Sequence, residues 1–212
     1  MPGLNLIDPS YKIFHTNDTL TEVNFRLNSN NLLYTKKRND TAFSANILIH
    51  YELTNRGTKA LTDSASLNFT NFRQSKQQQF LDGLIPLKTT FGNSYELVLT
   101  VNDLNRDHYI KQKINIDRTD LYNDQNYLLL DSNKTVVFKN HFNSNDKVYI
   151  KKNEANPAKS IMLKYYSTKL PIAKPPFSAE ADQEVIAFKP QLTSQLDFDS
   201  TNQLAYTIQD KG

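Results

Sequence analysis

The chain has no cysteine and no tryptophan, and only 5 of its 212 residues are glycine. Without cysteine there is no disulfide framework, no thiolate zinc site and no cysteine nucleophile. The few glycines form neither a Gly-x-Gly-x-x-Gly nor a Walker pattern, so no loop is built to cradle a phosphate. No apolar run approaches the roughly 18–20 residues that cross a bilayer as a helix. A strong excess of one charge is missing too: 25 Lys and Arg against 22 Asp and Glu leave a formal +3. Those basic residues are scattered, whereas a nucleic-acid partner calls for a stripe or patch. The apolar share is also low, 38% with a mean hydropathy of −0.60, against roughly 45–50% in ordinary domains. Intrinsic disorder is nevertheless not expected, because aromatic residues make up 11% of the chain and recur in ordered patterns.

What is there is period-two alternation. Val23, Phe25 and Leu27 alternate with polar residues, and Phe43, Ala45, Ile47, Ile49, Tyr51 and Leu53 form the longest such run. Further runs cover Leu61–Phe69, Tyr95–Val101 and Ile110–Ile116. Strands with one apolar face require a second sheet to cover it, which predicts an all-β sandwich. The expected organisation is two β-sandwich units in tandem. Residues 1–9 are a disordered or expression-derived start, 10–118 an immunoglobulin-like sandwich, 119–125 a linker, and 126–212 a second, incomplete all-β unit. In the second unit, strands are expected at 127–130, 135–138, 148–151, 161–166, 185–188, 196–198 and 204–208. A proline-rich crossing at 171–177 interrupts them, because proline cannot donate to a sheet ladder. The best helical candidate is 74–81, and it lacks a clean 3.6-residue stripe. The 24 asparagines cluster at turns such as Asn28-Ser29-Asn30-Asn31. Met1-Pro2-Gly3 opens without the segments of an export signal, and the 204–208 strand runs almost to the end, so the chain reads as a piece of something longer.

Motifs that carry chemistry are sparse. None of the four histidines, His15, His50, His108 and His141, sits in a Gly-x-Ser-x-Gly or His-Glu-x-x-His context. His50 falls on the polar side of the strongest alternating run, facing solvent. Asp103, Asn105 and Asp107 have the alternate spacing of a calcium loop without its glycine or distal glutamate, and turn capping accounts for them. No metal and no cofactor is expected. Tyr165 and Tyr166 are neighbours on a strand, so one at most faces a ligand. Pro175-Pro176-Phe177 reads as a sheet-to-sheet crossing with Phe177 as a plug, or as a pre-ordered docking ridge.

The sequence Tyr165-Tyr166 followed by Pro171-Ile172-Ala173-Lys174-Pro175-Pro176-Phe177, together with the hairpins from Phe25 to Tyr51, resembles the N-terminal β-sandwich region of the GWxTD-domain proteins of Bacteroidota. The Gly-Trp-x-Thr-Asp motif itself is absent, as the chain has no tryptophan. The resemblance implies an exported, periplasmic or outer-membrane-associated protein, lipid-anchored through a cysteine ahead of this sequence. Asp18-Thr19-Leu20, Asp40-Thr41-Ala42 and Asp63-Ser64-Ala65 resemble the O-glycosylation sequon of exported Bacteroidota proteins, implying modification at Thr19, Thr41 and Ser64.

These readings lead to a non-catalytic scaffold or protein-interaction module of the cell envelope. Its partners would be envelope proteins, and its interaction surface would involve Tyr165, Pro175, Pro176 and Phe177. Neither a nucleic-acid partner nor a membrane-spanning segment is expected. The alternatives are a glycan-binding module with tyrosine platforms, a component of envelope export or gliding machinery, and a hydrolase whose histidine, carboxylate and serine meet only in the fold.

Overall fold

The computed structural model describes residues 7–36, 38, 41–73, 80–106, 108–139, 141–166, 190 and 192–208. Among the described residues, seven strands form the first unit: β1 Ser10–Asn17, β2 Leu20–Asn28, β3 Ser44–Asn55, β4 Leu61–Phe72, β5 Phe80–Lys88, β6 Ser94–Asp103 and β7 His108–Asp117. They pair antiparallel in two sheets, β1-β2-β5 and β4-β3-β6-β7. The fold is the expected all-β sandwich. In constant-type immunoglobulin domains the fourth strand lies in the sheet of the first, second and fifth strands. Here β4 stays beside β3.

The alternation has a direct physical outcome. Ala45, Ile47, Ile49, Tyr51 and Leu53 of β3 and Tyr95, Leu97, Leu99 and Val101 of β6 all point inward and are buried. They meet Val23, Phe25, Leu27, Ile85 and Leu87 from the other sheet in one continuous core. Each such aliphatic side chain contributes roughly 1.5–3 kcal/mol by leaving water. Ile7, ahead of β1, belongs to the same core and is only 3% exposed.

β5 departs from the sequence reading. The helical candidate 74–81 does not hold at its end: Phe80 and Leu81 open a strand, while 74–79 lie outside the described residues. Pro86 is tolerated because, among the described residues, β5 pairs only with β2 and has no strand on its other edge, where the Lys88 amide donates to Asp63 Oδ2. Gly83 lies opposite Phe25, and a Cβ there would collide with the Phe25 ring. That ring packs edge-on against Phe69 at 5.2 Å, so the glycine makes room for an aromatic bridge between the sheets.

The second unit holds β8 Tyr127–Leu130, β9 Lys147–Lys152, β10 Ser160–Tyr165, β11 Leu192–Asp197 and β12 Gln203–Thr207. β12, β9 and β8 form one sheet, and β10 and β11 form another. The expected strand at 135–138 is not formed. Val136 makes only an isolated bridge to Leu130, and the Val137 amide donates to the Leu129 carbonyl. The expected strand at 185–188 and the proline-rich crossing lie outside the described residues. Phe14, on the outer face of β1, is fully buried against Leu128 and Leu130, with Val136 and Tyr149 alongside. The second unit therefore packs on the outer face of β1 and part of β2, making a third layer there, while the outward side chains of β5 from Phe80 to Lys88 stay exposed. Arg26 on that face holds Asp82 bidentately and lies over the rings of Phe80 and Phe138.

The connection between the units is held by side chains. Asn126 is 1% exposed, donating to the Asp120 carbonyl at 2.9 Å and to Asn123 Oδ1 at 2.7 Å. Its own Oδ1 accepts from Asn153 Nδ2 at 2.8 Å. Asn156, also 1% exposed, donates to the Leu121 carbonyl and the Tyr127 hydroxyl. These asparagines satisfy loop carbonyls in the interior that no sheet ladder reaches.

Candidate functional site

The largest fully buried side chain among the described residues is a charged one. Arg118 follows β7 and is 2% exposed. Its Nη2 donates to the Asn17 carbonyl at 2.5 Å, and its Nη1 to the Leu20 carbonyl, Thr21 Oγ1 and Thr89 Oγ1 at 3.1, 3.2 and 2.9 Å. No carboxylate forms an ion pair with it among the described residues, and burial pulls its pKa below the usual guanidinium range. His15 completes the cluster. Its Nε2 lies 2.9 Å from the Asp117 carbonyl, which can only accept, so the proton is on Nε2. Its Nδ1 then accepts from the Thr21 hydroxyl at 2.9 Å. Desolvation lowers the His15 pKa to about 4, with the Arg118 charge adding to the effect against the Asp117 backbone contact. The cluster ties the end of β1, the β1–β2 turn and the end of β7 together, sealed from water. The carboxylate of Asp117 turns away to Thr119, so histidine, hydroxyl and carboxylate do not line up here.

They come closer at His50. His50 on β3 faces Ser66 across the β3–β4 ladder, with Nδ1 3.0 Å from Ser66 Oγ. Glu52, two residues along β3, places Oε1 3.7 Å from Nε2. This trio follows from sheet geometry, which sets residues i, i+2 and the cross-strand partner on one face. The side chains of His50 and Glu52 are 42% and 50% exposed, so water screens them and a nucleophile there has no enclosed site. His108 keeps a buried Nε2 without a hydrogen-bond partner among the described residues, and His141 is exposed.

Asp103 is wholly buried and its oxygens are taken by the Leu33 amide, the Asn105 amide and Arg106 Nε, at 2.8, 3.1 and 2.9 Å. This is turn and loop locking; Asp107 lies outside the described residues. No group of three or more His, Asp or Glu able to hold a metal occurs among the described residues.

The exposed architecture is more informative. β9 runs on into β10, and β11 runs on into β12, so the four make one long antiparallel ribbon bent at 153–159 and 198–202. Beyond the bend, β10 and β11 pack chiefly on each other. Ile161, Leu163 and Tyr165 stand opposite Leu196, Ser194 and Leu192 on one face, while Met162 and Lys164 oppose Gln195 and Thr193 on the other. Tyr165 thus lies at the far end of a largely apolar stripe. Pro175, Pro176 and Phe177 lie outside the described residues. At the bend, a polar basin of about 560 Å³ is lined by Lys152, Lys159, Asp197 and Asp199. Lys152 is 7% exposed there, donating to the Asn156 carbonyl at 2.6 Å.

A second cleft, of about 480 Å³, opens between β1 and the start of the second unit, with Tyr11, Tyr127, Phe142, Asp124 and Lys139 in its walls. Sequence reading missed it, because its two sides come from segments more than a hundred residues apart. Thr19 and Thr41 are exposed at the β1–β2 turn and ahead of β3, and Ser64 is exposed on β4. The three are not gathered into one patch. No helix among the described residues is long and apolar enough to cross a membrane.

No known protein-family model matches this chain, and no curated protein matches it in sequence.

Proposed function

We propose that this chain is a non-catalytic scaffold and protein-interaction module of a cell-envelope protein, with the β10–β11 arm as its contact element. The observation that carries this reading is the arm's apolar stripe of Ile161, Leu163, Tyr165, Leu192 and Leu196, half-buried on a ribbon whose two strands pack chiefly on each other. A two-stranded ribbon is marginal in water by itself, and covering such a face stabilises both ribbon and complex. The layered body supplies a rigid mount, fixed by the Arg118 cluster and the buried asparagines. The envelope setting rests on the resemblance to the GWxTD-domain region and on the exposure of Thr19, Thr41 and Ser64.

The test is photocross-linking from single positions of the full chain in envelope extracts. A cross-linking residue at Leu163 is expected to capture a specific protein, and one at Lys164, on the opposite face, to capture none. Equal labelling from both faces, or none from Leu163, removes the arm as the contact element.

The cleft beside Tyr11 supports a second reading, a glycan site with Tyr127 and Phe142 as platforms and Asp124 and Lys139 as hydroxyl partners. Polysaccharide titration that shifts the amide signals of 124–129 supports it, and unchanged signals dismiss it.

A further inference from the structure

The four edge strands of the first sandwich are treated differently. An open edge offers a row of unpaired amides and carbonyls to any extended segment, and proteins usually blunt it. On β7 the Gln125 side chain occupies the edge, accepting from the Asp117 amide and donating to the Asn115 carbonyl, both at 2.9 Å. Exposed Lys111 and Lys113 guard the rest of β7. On β5 Pro86 interrupts the row. On β1 the Thr16 carbonyl is taken by the Glu154 amide, and Phe14 lies under the second unit. β4 has none of these devices. Its twelve residues include no proline and a single charge, Asp63.

The ladder fixes which β4 groups are open. The Arg73 amide donates to the Phe43 carbonyl, so odd-numbered positions of β4 turn their backbone toward β3. Even-numbered positions from Ser64 to Phe72 turn theirs outward. Among the described residues no hydrogen bond reaches those outward groups.

We propose that β4 is a self-pairing edge, and that two copies of this chain join antiparallel through it about a two-fold axis at Asn68. Two-fold pairing of identical strands requires partners whose numbers have a constant sum. With Asn68 opposite itself, Ser66 meets Thr70 and Ser64 meets Phe72. Only this register pairs every outward position, giving about ten inter-chain hydrogen bonds and one continuous sheet of about eight strands. The same register sets Asp63 of each copy opposite Arg73 of the other. Asp63, near the start of the strand, accepts from the Lys88 amide and the Tyr51 hydroxyl of its own chain, and Arg73, just past the strand's end, lies over the Tyr34 ring; in this register they meet as opposite signs at both ends of the interface. Shifting by one pair sets Asp63 against Asn71 instead and leaves outward groups unpaired. Cross-strand ion pairs and complete ladder pairing both select this register. The interface is separate from the β10–β11 arm, so the two proposals stand or fall independently.

Sedimentation and amide exchange of the full chain, from about 1 µM to about 500 µM, test the pairing over the range of weak self-association. The expected result is a reversible dimer, with exchange at Ser64, Ser66, Asn68, Thr70 and Phe72 slowing as concentration rises. Asn68→Pro removes an outward amide while leaving the β3 ladder intact, and it is expected to keep the chain monomeric. Arg73→Asp is expected to weaken the dimer about tenfold or more, since carboxylates then face each other at both ends. Mixing it with Asp63→Arg is expected to restore association. A chain that stays monomeric throughout, or a dimer that persists unchanged in Asn68→Pro, overturns the proposal.

Discussion

Acidification probes the buried corner around Arg118 directly. His15 is 1% exposed and neutral, donating through Nε2 to the Asp117 carbonyl and accepting at Nδ1 from Thr21. Protonating Nδ1 sets a second cation beside the Arg118 guanidinium and makes Thr21 give up the donor role it fills. The folded-state pKa of about 4 lies below the ordinary 6.5. The unfolded chain therefore binds the proton first, and stability is whole above about pH 6.5 and declines as pH falls toward 4. At about 1.4 kcal/mol per pH unit, the full loss is about 3 kcal/mol. That is a large share of the roughly 5–15 kcal/mol that holds a typical domain together. The assay is urea unfolding at intervals from pH 7 to pH 4.5, followed by far-ultraviolet circular dichroism because the chain has no tryptophan. Asp117 and Asp131, whose pKa values are depressed below 3.8 by hydrogen bonds to Thr119 and Thr135, lose their contribution at lower pH, outside this window. His15→Gln is expected to be less stable at pH 7 and to lose the slope. Stability that stays flat from pH 6.5 to 4.5, or a slope that survives in His15→Gln, refutes the reasoning.

Other perturbations follow from single contacts. Gly83→Ala drives a methyl group into the Phe25 ring and is expected to cost about 1–3 kcal/mol in urea unfolding, by overpacking; an unchanged midpoint would show that Phe25 has room to move. Arg118→Met leaves the Asn17 and Leu20 carbonyls without their donor and is expected to cost about 3–5 kcal/mol. The same variant should raise the His15 titration midpoint seen by NMR, because the Arg118 charge helps to lower it. Asn126→Ala removes the bonds to Asp120, Asn123 and Asn153 and is expected to cost about 1–3 kcal/mol, with amide exchange quickening first at 120–130. Protein purified from its native host is expected to show added mass at Thr19, Thr41 or Ser64, and an unmodified intact mass removes all three.

The alternating strands were the legible part of the fold. β3 and β6 carry their apolar residues on one face without a break, because both are central strands with a single buried side. β5 was obscured by Gly83 and Pro86, each of which reads locally as a breaker and is explained only by a distant partner or an open edge. The second unit was harder for a related reason: Phe14 is the floor for Leu128 and Leu130, and nothing near residue 128 announces a partner near residue 14. The same limit hid the polar cluster. Arg118 stands among Asp117, Thr119 and Asp120 in what reads as a charged connector, yet its acceptors lie at Asn17, Leu20, Thr21 and Thr89. Local pattern reports which face a side chain takes, and it carries no record of who arrives from the far end of the chain.

The contact from His15 to the Asp117 carbonyl spans 102 positions, and it has a temporal side. As the chain leaves the ribosome, β1 emerges first and β7 last, so the opening hairpin must wait for Arg118 before its polar groups are satisfied. Until then His15 is bare, and Phe14 on the other face stays bare longer, until Leu128 and Leu130 follow. A chain cut short before residue 118 thus presents an unfinished first strand to whatever chaperone or translocation factor meets it. The Arg118 clasp joins the first hairpin of the sandwich to the end of its last strand without a covalent link.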